Sequence, residues 1–255
     1  MRKVIKLPAP QLSILKEVNI DLDMTGRHYA QLASSEGQIP EDVALSILKD
    51  LMEEDANKLT LAELRYLFIL VKINSLENHC RVAVTCTHIN SKGEICGYEN
   101  PYDFFLSDAD LNPTPPDYKV PTIIFNTKDT QKEYKVIPPP MKLESELYNH
   151  FLTGKGLTPE QIFEDKEESF NYSYLRGVMH LVDKETGERF VNTDTPIDSL
   201  YDYLEFNNFK DINKMFDAVI EVNKYGVQNK EYTLKCKECG GTLVFQVPLL
   251  AGLLD

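Results

Sequence analysis

The chain has 255 residues, 42% of them hydrophobic and 26% charged, with 40 acidic against 27 basic side chains and a net charge of −13. Length and apolar content suffice for one large domain or two small ones with a real core, while the acidic balance leaves no global positive field, so a nucleic acid would need a local basic patch that the sequence does not offer. The longest greasy stretch, Leu61 to Ile73, contains Glu63, Arg65 and Lys72 and falls far short of the ~20 apolar residues of a bilayer span.

Arg2, Lys3 and Lys6 have no apolar run of ~7–15 residues behind them, so no secretory signal is expected and the compartment is read as cytoplasm-like. Residues 1–24 read as extended, and the alternation Val18, Ile20, Leu22 suits a half-buried strand. Thr25 caps a helix through about Ser34. Pro40 suits the first turn of a helix over Glu41 to Glu54, with Val43, Ile47, Leu48 and Leu51 on one face. Thr60 and Glu63 form a capping-box pattern ahead of Leu64, Leu67, Phe68 and Val71. Ile69, Leu70 and Ile73 widen that stripe and predict a helix covered on more than one side.

Val82 and Val84 alternate into Cys86, and Ile95 to Tyr98 lead out of Cys96, which predicts a hairpin with a cysteine on each arm and a polar loop from Thr87 to Glu94. A second hairpin is predicted from Thr122 to Asn126 and Glu133 to Ile137. Pro138, Pro139 and Pro140 then end it. From Met141 to Tyr225 the pattern is mainly helical: Leu143, Leu147 and Phe151 share a face, Thr158 and Pro159 start another turn, and Phe170 to Leu181 and Pro196 to Leu204 are further candidates. Ile212, Met215, Phe216, Val219 and Ile220 repeat at helical spacing, with Gly226 expected as a left-handed C-terminal cap. Strands return at Tyr232 to Lys235 and Leu243 to Val247.

The five cysteines are too few for a disulfide scaffold, and in a reducing compartment spaced cysteines more often hold a metal. Cys236 and Cys239 enclose two residues, with Gly240 and Gly241 behind them to allow a tight turn. This is the form of a zinc knuckle, which supplies two of the four ligands of tetrahedral Zn²⁺. Cys86 and Cys96 supply the second pair, and Cys96-Gly97 repeats the Cys-Gly ending of Cys239-Gly240. The expectation is an α+β fold with helical bundle segments, in which two β-hairpins form a discontinuous zinc-ribbon-like unit. Its regions are residues 1–137, an N-terminal α+β part with the first cysteine hairpin; 141–226, a helical insertion; and 227–255, a zinc-knuckle hairpin packing back on the first region. A structural zinc contributes on the order of 10–16 kcal/mol of apparent binding energy, enough to hold such a clip.

Alternatives stand beside this reading. His88 can replace Cys86 or Cys96 as a ligand, since nine residues separate those cysteines. A thioredoxin-type redox motif would start a helix after a strand, not sit between two strands. Cys80 is out of register with both tips and is expected to be a buried thiol; His79 and His150 are expected at the surface or in hydrogen bonds. Catalytic motifs are absent: no Gly-rich phosphate loop, no Gly-x-Ser-x-Gly, no His-Glu-x-x-His. The acidic run Glu164 to Glu168 reads as a solvated helix end. Four thiolates would leave zinc no open position for water, so no enzyme is expected. The tail Val247 to Asp255 is apolar and is expected to pack into the parent fold or into a partner.

A Leu-Pro start, Leu61-Ala62-Glu63-Leu64-Arg65-Tyr66-Leu67 running into Lys72-Ile73-Asn74-Ser75, the strand ending in Cys86, and the terminal Cys236-Lys237-Glu238-Cys239-Gly240 resemble the baseplate hub proteins of T-even-type contractile-tailed phages. The resemblance covers roughly residues 40–100 and 230–250. It implies a structural or assembly component of the central hub of a tail baseplate, found in the virion tail or in the host cytoplasm during assembly, with other tail or baseplate proteins as partners and no nucleic acid. Carried over by residue is only the metal set, Cys86, Cys96, Cys236 and Cys239, and the nine-residue first spacing departs from the family's short first knuckle. The competing class is a zinc-ribbon regulator or nucleic-acid adaptor, disfavoured because only Lys92, Lys235 and Lys237 lie near the tips.

Overall fold

The computed structural model describes residues 2–34, 40–75, 79–89, 93–105, 110–228 and 231–246. The tail 247–255 and Lys92 lie outside the described residues, as do the side chains of His79 and Cys80. The fold is α+β, and its paired strands are antiparallel throughout.

Strands β1 (Arg2–Lys6) and β2 (Glu17–Asp21) form a hairpin-like pair in which Val18 and Ile20 point inward and are fully buried. Helices α1 (Gly26–Ala33), α2 (Pro40–Leu51) and α3 (Leu61–Ser75) pack beneath it. The start of α3 is set by the expected capping box: the Thr60 amide donates to Glu63 Oε2 at 2.8 Å and the Glu63 amide to Thr60 Oγ1 at 3.4 Å. Leu64, Leu67, Phe68, Ile69 and Val71 are all buried, so α3 is the axle of the first core, covered on several sides as its wide apolar stripe requires.

Next come β3 (His79–Thr85) and β4 (Glu99–Phe105), paired from His79 opposite Phe105 to Thr85 opposite Glu99. The outgoing strand thus begins at Glu99, not at Ile95. Gly97 adopts a φ of +66°, which takes the chain out of extended geometry just after Cys96. Within the loop a bridge joins Ile89 to Ile95.

Strand β5 (Asp110–Asn112) is followed by β6 (Thr122–Asn126) and β7 (Gln131–Val136), the second predicted hairpin. Helix α4 (Met141–Asn149) runs into a π-helical turn, His150–Gly154, which keeps Leu143, Leu147 and Phe151 on one buried face. Helix α5 (Pro159–Glu164) carries a capping box from Thr158 and Gln161. Asp165 caps α6 (Lys166–Met179) by accepting from the Glu167 and Glu168 amides at 2.9 and 3.0 Å, so the acidic run favours a helix start through both capping and dipole. Leu181 opens a strand, β8 (Leu181–Asp183), beside β7 and does not extend the helix.

Residues Ile197–Phe206 form a 3₁₀ helix, and Asn208 caps α7 (Phe209–Val222). Asn223 closes α7; Gly226, expected as its cap, instead opens β9 (Gly226–Gln228) at a φ of +95°. Strand β9 pairs with β5. The chain ends its described course in β10 (Glu231–Lys235) and β11 (Thr242–Gln246).

Buried apolar side chains of the described residues fall into two large clusters and one small one. The first joins β2, α2 and α3 with Phe104, Met141 and Val227. The second joins α4, α6, α7 and the β6–β7–β8 sheet, including Ile123, Phe125, Tyr134 and Val136. The two large clusters adjoin at the proline triplet, where the Met141 amide donates to Leu59 O at 2.7 Å and Arg189 Nη2 donates to Pro138 O at 2.7 Å. The small cluster holds Cys86, Cys236 and Leu243, with Val84, Cys96 and Leu234 against it.

Candidate metal centre

The two cysteine hairpins lie face to face. Alternation along β4 turns Asn100, Tyr102 and Phe104 inward, and alternation along β10 does the same for Tyr232 and Leu234. Tyr102 packs on Tyr232 and Phe245 with ring centroids 5.4 and 5.1 Å away, and Phe104 lies 6.4 Å from Tyr232. This aromatic layer continues the first core outward and aligns the hairpins so that their tips meet.

At the tips, Cys86, Cys96, Cys236 and Cys239 place their sulfurs within 4.8 Å of one another. The Cys86 and Cys239 sulfurs are 3.6 Å apart and those of Cys96 and Cys236 3.9 Å. Four sulfurs ~2.3 Å from a tetrahedral zinc stand ~3.8 Å apart, so these two edges already have the required length and the widest closes by at most about 1 Å. All four are free thiols, since an S–S bond needs ~2.05 Å. Cys86 and Cys236 are buried, Cys96 is half-buried and Cys239 is exposed.

Local backbone structure aims the thiols. The Gly240 amide donates to Cys236 O at 2.9 Å and the Cys236 amide to Gly241 O at 2.8 Å, a tight turn that Gly240 completes at a φ of +71°. In the first hairpin the Gly97 amide donates to Cys86 O at 2.9 Å and the Cys96 amide to His88 O at 2.8 Å, and these bonds bring Cys96 beside Cys86. Backbone amides face the sulfurs as well: His88 toward Cys86, Tyr98 toward Cys96, Cys239 and Glu238 toward Cys236.

The electrostatics are divided. The Cys239 backbone amide, with help from Asn100, draws the Cys236 thiol down to about 6, whereas burial pushes Cys86 up to about 12. One sulfur is therefore prepared as a thiolate, and that of Cys86 loses its proton readily only to a cation that repays its desolvation. Sulfur-only donors packed at this spacing suit zinc and other thiophilic ions, not hard cations such as Ca²⁺ or Mg²⁺.

His88 lies beside this set and outside it. Its Nδ1 is 3.8 Å from the Cys86 sulfur, and its ring covers Gly241, where a Cβ would come within 2.7 Å of it. His150 has its Nε2 3.4 Å from Asp198 Oδ1 and stacks edge-on against Phe151, in the second core. Asn100 was not signalled by any motif. It is 1% exposed, and its inward position in the Asn100, Tyr102, Phe104 alternation is the one sequence feature that marks it.

Fold and site together define an α+β protein whose distant segments meet at a closed four-sulfur centre able to hold a metal ion. Family comparison matches residues 22–250 to the T4 bacteriophage base plate protein family. The chain belongs to that family, which makes it a structural component of a phage tail. No curated protein and no solved structure matches it. Among the described residues no helix is long and apolar enough to cross a membrane.

Proposed function

We propose that this base plate protein builds or completes the central hub of the baseplate, and that a structural zinc on Cys86, Cys96, Cys236 and Cys239 locks its architecture without taking part in any reaction. The observation that carries the metal reading is the approach of four sulfurs from positions 86, 96, 236 and 239 to within 4.8 Å of one another. Four thiolates saturate tetrahedral zinc and leave no position for a water or substrate, which is the argument for a non-catalytic role. In this reading the two hairpins are a zinc ribbon interrupted by residues 141–226, an insertion that adds β8 to the β6–β7 hairpin and packs its helices on that sheet. The hub assignment is supported by the likeness of residues 40–100 and 230–250 to hub proteins, and its partners are other tail or baseplate proteins.

The role is tested by complementation. Phage lacking this chain should form complete tails when supplied with the natural protein and stall before tail completion when supplied with the Cys236→Ser variant. Gold label attached to the chain should lie on the tail axis. Label at the baseplate rim would overturn the hub role, and full complementation by Cys236→Ser would overturn the zinc lock.

A further inference from the structure

We infer that Asn100 is a positioning residue of the four-sulfur centre: a buried carboxamide that joins the two cysteine hairpins directly and donates to the Cys236 sulfur. The inference rests on the metal reading above and assigns a determinant of metal affinity outside the four ligands.

The geometry is specific. Asn100 Nδ2 lies 3.5 Å from Cys236 Sγ, 3.1 Å from Tyr98 O and 3.4 Å from Val84 O, while the Lys237 amide donates to Asn100 Oδ1 at 2.9 Å. Two of these partners, Val84 and Tyr98, belong with Asn100 to the first hairpin; Cys236 and Lys237 belong to the second. One side chain therefore spans a separation of 137 residues in sequence with polar contacts at both ends. It does so at 1% exposure, in a pleat position that Tyr102 and Phe104 continue with aromatic rings. An apolar residue at that position would satisfy the pattern of the strand but would leave the Lys237 amide without this partner.

Two consequences follow for the metal. The hairpins are held in register by a bond that needs no ion, so ligands arrive partly assembled and less ordering is left to the binding step. The N–H directed at Cys236 also fixes the sulfur's orientation and offsets part of the negative charge that four thiolates bring to one ion, the kind of supporting contact whose loss typically weakens metal binding ~10–100-fold.

The test is cobalt(II) and zinc titration of the full chain carrying Asn100→Ala or Asn100→Asp, at fixed pH, beside the unsubstituted protein. Asn100→Asp keeps the shape and the acceptor for the Lys237 amide while replacing the donor to sulfur with a carboxylate oxygen, so a defect shared by both variants is assigned to the lost donor. We expect weaker binding by ~10–100-fold, a shifted sulfur-to-cobalt charge-transfer band, and unchanged unfolding of the helical second core. Affinity within threefold of the natural chain and an unshifted band in both variants would overturn the inference. Absence of cobalt and zinc binding by the unsubstituted chain would overturn the metal reading and this inference together, a result distinct from the first. Should both variants fail to fold, the cadmium-113 form of the natural chain decides: scalar coupling from the metal to the Asn100 side-chain amide protons, through the Cys236 sulfur, is expected, and its absence would overturn the inference.

Discussion

Replacing Gly226 with alanine should destabilise the protein by ~2–5 kcal/mol, from two separable causes. The first is conformational: φ at this position is +95°, in the region that costs an L-residue ~1–2 kcal/mol. The second is steric. A Cβ built there would stand 2.5 Å from the Cβ of Ala62, against an optimum of ~3.5–4.0 Å for two carbons. The Ala62 methyl is fixed to the backbone of α3 and cannot rotate away, so β9 and the start of α3 must separate, at the ~1–3 kcal/mol typical of an overpacked contact. Urea unfolding followed by far-UV circular dichroism and tyrosine fluorescence measures the loss, the chain having no tryptophan. Adding Ala62→Gly removes the clash and leaves the φ penalty, so the double variant should be more stable than the two single losses predict, with a coupling of ~1–3 kcal/mol. A Gly226→Ala protein within ~0.5 kcal/mol of the natural chain would show that neither cause operates, and no coupling with Ala62→Gly would show that the two positions do not clash.

His180 provides a pH test. Burial pushes its imidazole down to about 4, and the ring is held neutral: Nδ1 donates to Arg176 O at 2.7 Å and Nε2 faces Asn223 Nδ2 at 3.5 Å. The unfolded chain takes up a proton near pH 6.5 that the folded chain refuses, so stability falls as pH drops from ~6.5 toward ~4, by ~3 kcal/mol for this group; His180→Gln should flatten that part of the stability curve, and an unchanged slope would contradict the assignment. Asp165→Ala removes both capping bonds of α6 and should cost ~0.5–2 kcal/mol, read as a lower unfolding midpoint; no shift would mean that the cap is dispensable. His88→Ala should leave the proposed zinc in place, because the His88 ring lies beside the four sulfurs and not among them; loss of zinc by elemental analysis would give His88 a ligand's role.

Much of the fold is written in local signals. The Thr60–Glu63 box, the helix start at Thr158 and Pro159, the apolar stripes of α2, α3 and α7, and the tight turn after Cys236 are each encoded within a few residues, and the expected elements stand there. What pairs distant segments was not legible. Strand β5 finds β9 across more than a hundred residues through Leu111 opposite Val227, and three-residue strands leave no periodicity to read. Ile95 to Tyr98 looked extended because the positive φ of Gly97 is a backbone property that a glycine permits without announcing. Gly226 carried the residue type of a helix cap, but its closeness to Ala62, a tertiary fact, decides its place. The meeting of Cys86 and Cys96 with Cys236 and Cys239 was legible because sulfur chemistry demands a fourfold set; Asn100 was not, since one asparagine in a strand has no such arithmetic.

One metal ion is proposed to tie residues 86 and 96 to residues 236 and 239, and elemental analysis of the purified protein decides whether it does. One zinc per chain is expected in the natural protein, lost from Cys86→Ser and from Cys236→Ser alike. A chain purified without zinc that takes up none, or a Cys86→Ser variant that retains the full complement, would contradict it.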